Sequence, residues 1–77
     1  MIEEFYTQNR RVIKFSVIKK KLMIQKPKTL VKLKNVVKQI GESEGGFSDL
    51  TINLVVEALV HDKVLITDIS DNLEWLK

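Results

Sequence analysis

The sequence predicts a small α+β domain, helices followed by a C-terminal β-hairpin. Three observations carry this. Apolar residues recur at helical spacing between Thr29 and Gly41, and again after Ser48, each run preceded by a capping hydroxyl. Val64-Leu65-Ile66-Thr67-Asp68-Ile69 is rich in β-branched residues, Ser70-Asp71-Asn72 is turn chemistry, and Leu73-Glu74-Trp75-Leu76 alternates as a returning strand. A chain of 77 residues with 44% hydrophobic content makes one domain with a modest core.

Residues 1–26 fit two patterns. As a helix, Ile2, Phe5, Tyr6, Asn9, Ile13 and Val17 share a face. As strands, Val12-Ile13-Lys14-Phe15-Ser16-Val17-Ile18 has the right composition, and Lys21-Leu22-Met23-Ile24-Gln25 follows as a second strand. A two-residue turn at Lys19-Lys20 lacks Gly or Asn. The expectation is therefore a helix to about residue 20 and a short strand over residues 21–25. A basic amphipathic helix follows over residues 28–41. Pro27 sits at its first turn or Thr29 at its cap, Leu30, Leu33, Val37 and Ile40 face inward, and Gly41 is the stop. Gly45-Gly46 marks a loop. Ser48 caps a second helix over residues 48–62, with Asp49 in its positive first turn. Ile52, Val55, Val56, Leu59 and Val60 form one apolar face of that helix, and Leu50, Leu54 and Ala58 form another. A short helix apolar on two sides is deep in a core or shared with a partner. Residues 64–77 make the hairpin, although Ile66, Ile69, Leu73 and Leu76 also fit helical spacing.

Charge divides the chain. Residues 1–38 hold eleven Lys/Arg against Glu3 and Glu4, a net +9; residues 39–77 hold Lys63 and Lys77 against eight Asp/Glu, a net −6. The first half should seek polyanions and the second should avoid them. The chain has no cysteine, hence no disulfide and no thiolate metal site, which favours an intracellular setting. No apolar run reaches the length of a membrane span or a signal peptide.

Catalytic chemistry is poorly represented. His61 stands alone, so no histidine cluster or dyad exists. Asp62, Asp68 and Asp71 are too few for a divalent-cation nuclease, and Val64-Leu65-Ile66-Thr67-Asp68 is only faintly similar to a strand of PIN-type nucleases. Gly45-Gly46 lacks the Lys-Ser/Thr of a phosphate loop. The chain is expected to be no enzyme, with no cofactor, no metal and no small-molecule substrate.

The run from Ser48 through Val64-Leu65, followed by the turn at Asp71-Asn72, resembles the third helix and wing of the winged helix-turn-helix family. That resemblance implies Ile52, Val55, Val56 and Leu59 packed inward and a third helix that reads the DNA major groove. Lys63 stands where the family usually has Gly, and the loop over residues 42–47 is longer than usual. The outer face of this helix offers Leu50, Asn53, Leu54, Glu57 and His61, with no Lys or Arg from Ser48 to Asp62. Lys21-Leu22-Met23-Ile24-Gln25-Lys26-Pro27, then helix, Gly and helix, is also similar to ribbon-helix-helix repressors. That resemblance implies a dimer with Lys21, Met23 and Gln25 pointing into DNA and residues 64–77 as an extension.

The functional expectation is a nucleic-acid-binding regulator of transcription or replication, cytoplasmic or nucleoid-associated. DNA or RNA is its partner and it has no membrane contact. Arg10, Arg11, Lys19, Lys20, Lys21, Lys28, Lys32, Lys34 and Lys38 would meet phosphates, joined by Lys26, while Leu50, Leu54 and Ala58 would serve a homodimer. The competing expectation is a protein-interaction module whose basic half docks on an acidic partner.

Overall fold

The computed structural model describes residues 3–76; Ile2 of the expected N-terminal face and Lys77 of the expected hairpin lie outside them. The elements are β1 (Glu4–Tyr6), β2 (Val12–Lys14), α1 (Phe15–Gln25), α2 (Leu30–Glu42), α3 (Asp49–His61), β3 (Leu65–Thr67) and β4 (Leu73–Trp75). Three helices and two small antiparallel sheets make this an α+β fold.

The N-terminal third differs from expectation. Residues 4–14 form a hairpin, with Glu4 opposite Lys14 and Tyr6 opposite Val12, instead of the start of a helix. Phe5 and Ile13 point into the core while their neighbours face out. The tip has no glycine. Arg10 takes a left-handed φ of 62°, and Thr7 closes the turn by donating to and accepting from Arg11 and Arg10. Residues 21–25, expected as a strand, are the end of α1. The β-branched run changes period inside itself, alternating up to Lys14 and then following 3.6 spacing through the buried Phe15, Ile18 and Leu22. Lys, Leu, Met and Gln are good helix formers, and core burial carries the weaker β-branched Val17 and Ile18 with them. The strand on which the ribbon-helix-helix likeness rests is thus helical.

No side chain caps α1. The Phe15 N–H instead donates to the Glu3 carbonyl at 2.7 Å, so the hairpin supplies the missing acceptor. Lys26 ends α1 in a left-handed turn, its N–H reaching Leu22 O. In α2, Thr29 Oγ1 accepts from Lys32 N at 3.3 Å, as expected of a cap. Gly41 is not the stop: α2 runs to Glu42. Its lack of a side chain serves packing, because a Cβ there would lie 2.6 Å from the Phe47 ring.

Ser48 caps α3 by accepting from Thr51 N at 3.2 Å. At its end Lys63 adopts φ 57°, while the Val64 N–H reaches Leu59 O and the Lys63 N–H reaches Val60 O. This is a Schellman closure in which lysine occupies the usual glycine position. The C-terminal hairpin is shorter than expected, three residues a strand, with Leu65 opposite Trp75 and Thr67 opposite Leu73. It is bonded to the connection between α1 and α2: Leu73 N donates to Lys28 O, Leu30 N to Asp71 O, and Trp75 Nε1 to Pro27 O at 2.7 Å.

One core joins these parts. Leu33, Val37 and Ile40 from α2 and Ile52, Val55 and Leu59 from α3 meet Ile18 and Leu22 of α1, all buried. Phe5 and Phe15 close one end in an edge-to-face pair at 5.7 Å. No helix among the described residues is long and apolar enough to cross a membrane.

Candidate nucleic-acid interface

The inward turn of Leu33, Val37 and Ile40 fixes what α2 shows to solvent. With 3.6 residues per turn, Val31, Lys32, Asn35, Lys38, Gln39 and Glu42 fall on the opposite side, and all six are exposed. Asn35 lies near the middle of this side. It borders two hollows, one on either flank of the helix. Towards α1 the hollow holds about 340 Å³ between Gln25, Pro27, Lys32, Asn35, Val36 and Gln39. Towards α3 it holds about 410 Å³ between Lys34, Asn35, Lys38, Asp49, Ile52 and Asn53. Lysines and carboxamides therefore form a ridge with recesses at both sides. From Phe5 to Gly41 the chain contains no Asp or Glu; among the described residues, Glu42, Asp49 and Asp71 approach α2, Glu44 approaches Arg11 and Lys21, and Glu3, Glu4 and Asp62 share a hollow with Lys14 and Lys19.

The expected phosphate contacts are spread over the N-terminal hairpin, α1, the connection after it and α2. Lys32, Lys34 and Lys38 share α2, and Lys28 stands just before it. Lys20 and Lys21 are exposed on α1. Arg10 and Arg11 lie in the turn of the N-terminal hairpin, where Arg11 is 4.0 Å from Glu44 in an exposed pair of little energetic weight, and Glu44 also lines a hollow with Lys21. Lys19 is drawn elsewhere. Its Nζ is 3.5 Å from Asp62 Oδ2 and 4.7 Å from the centre of the Phe15 ring, so it ties α1 to the end of α3. It lines a hollow of about 540 Å³ with Glu3, Glu4, Lys14, Phe15, Ser16 and Asp62, whose mixed charge suits no polyanion.

Asn35 and Gln39 share the exposed side of α2 with the cations expected from the sequence. Their signal was the same helical period, read for position and not for hydrogen-bonding capacity. The stripe expected on α3 is only partly open: Leu50 is 71% exposed, while Leu54 and Ala58 are half-buried against the core. What α3 exposes along one line is Leu50, Asn53, Glu57, Val60 and His61.

No group of three or more His, Asp or Glu among the described residues is placed to hold a metal ion. No protein family, no curated protein and no solved structure matches the chain.

Proposed function

We propose that this chain is a non-enzymatic nucleic-acid-binding regulator of winged-helix type, acting as a homodimer and meeting phosphates through α1 and α2. The observation that carries the reading is the acid-free run from Phe5 to Gly41, which surfaces on α2 as Lys32, Lys38, Asn35 and Gln39. Lysines at this density give salt-dependent affinity through counterion release, and carboxamides add donors and acceptors that free lysines lack. The order of helix, connection, two helices and hairpin, with the hairpin bonded back to the connection, supports the winged-helix part of the reading. Leu50, exposed beside the half-buried Leu54, supports self-association through α3.

A mobility shift on mixed-sequence nucleic acid at two salt concentrations tests this. Four phosphate contacts weaken binding by roughly 10²-fold between about 50 and 200 mM salt. Absence of salt-sensitive binding at low micromolar protein sinks the reading. In that event the second reading, a protein-interaction module, takes over. In it the basic half docks on an acidic partner, and its support is the same exposed lysines of α1 and α2.

A further inference from the structure

We infer that α2, not α3, is the helix that enters the major groove of duplex DNA, with Asn35 and Gln39 reading base edges. This rests on the nucleic-acid reading above and adds to it which element reads, in which groove and of which duplex.

A carboxamide pairs bidentately with adenine N6 and N7, and lysine donates to guanine O6 and N7. The outer face of α2 presents these residue types at helical spacing, Lys32, Asn35, Lys38 and Gln39, with Val31 beside them. Asn35 and Gln39 are one turn apart, about 6 Å along the axis, close to two base-pair steps of about 3.4 Å. The window from Lys32 to Gln39 spans about 10 Å, or roughly three steps.

Its surroundings fit a groove. The two hollows flanking α2 leave room for the groove walls, and lysines line both, Lys32 on the α1 side and Lys34 with Lys38 on the α3 side. Asp49 also lines the second hollow, outnumbered there by the two lysines. Asp71 lies at the start of α2 through its carbonyl bond to Leu30 N, and Glu42 is at the end. These carboxylates bracket the window and confine the contact to the middle turns of the helix. The exposed line on α3 is the poorer reader, since Asn53 is followed by Glu57 and preceded by Leu50. Duplex RNA is disfavoured because its major groove is too deep and narrow for a helix.

The test is selection of preferred sites from a random duplex DNA library by the full chain, followed by anisotropy titrations of the selected site, a scrambled duplex and a duplex RNA. The wild type should enrich a short site and prefer it to the scrambled duplex. Asn35→Ala and Gln39→Ala should each lose about tenfold of discrimination at one base pair, with affinity for the scrambled duplex nearly unchanged. Both side chains are exposed, so both variants should melt with the wild type. Lys38→Gln should weaken all duplexes alike and lower the salt slope by about one. Three results overturn the inference but leave nucleic-acid binding standing. These are salt-sensitive binding with no enriched site, an enriched preference that moves with Asn53→Ala and not with Asn35→Ala or Gln39→Ala, and tighter binding to duplex RNA. No binding to any nucleic acid removes both readings.

Discussion

Helices α2 and α3 are near twins in construction and opposites in surface chemistry. Each has thirteen residues, each starts at a hydroxyl cap, Thr29 or Ser48, and each buries three large aliphatic side chains. Outward, α2 shows lysine and carboxamide, whereas α3 shows leucine, glutamate and a lone asparagine. The inner faces say only that both helices belong to one core. The outer faces differ because nothing in packing constrains them, and so they carry the information about partners. On the winged-helix reading proposed above, position would nominate α3 as reader, whereas surface chemistry favours α2.

The sharpest way to break this pairing is through the inner faces. Leu33→Ala and Leu59→Ala remove side chains that are fully buried, and each should cost about 2–5 kcal/mol in urea denaturation. A large inequality between them would mean that the two helices do not share one cooperative core. On the outer faces, reversing Lys32 and Lys38 together to Glu should weaken duplex DNA binding on the order of 10²-fold at low salt, while Glu57→Lys changes it little. Equal effects from both would put the two helices on the interface together. The caps offer a smaller comparison: Thr29→Ala and Ser48→Ala should each cost about 1 kcal/mol. Thr29 also bridges to Asn72, so an excess loss at Thr29 would measure the coupling of α2 to the C-terminal hairpin. Smallest is a gain. Lys63 holds a left-handed backbone, and Lys63→Gly should raise stability by about 0.5–1 kcal/mol.

The helices α2 and α3 were legible because each obeys a single period from cap to end. The α+β class followed from them and from the β-branched strand Leu65–Thr67. Residues 4–25 were not legible, since one continuous apolar stretch serves two periods and the change at Lys14 has no Gly or Pro to mark it. A turn closed by Thr7 and a left-handed Arg10 carries no compositional flag either. For the candidate interface, sequence located the cations but not their company. Lys19 and Asp62 are far apart in the chain, and only the fold shows that this lysine is engaged elsewhere. Gly41 was read as a helix stop, when the need was for space beneath Phe47.

The bonds between the C-terminal hairpin and the α1–α2 connection have a consequence in time. Trp75 and Pro27 are 48 residues apart in sequence, and the segment between them contains both α2 and α3 in full. The hydrogen bonds that tie the α1–α2 connection to the hairpin therefore form only after residue 75 has been synthesised, whereas α1 and α2 also meet directly through Leu22, Leu33 and Val37. Closing a longer loop costs more entropy than closing a short one, though the cost grows only logarithmically with length. The order of translation thus makes the tie between the basic and acidic halves a late one.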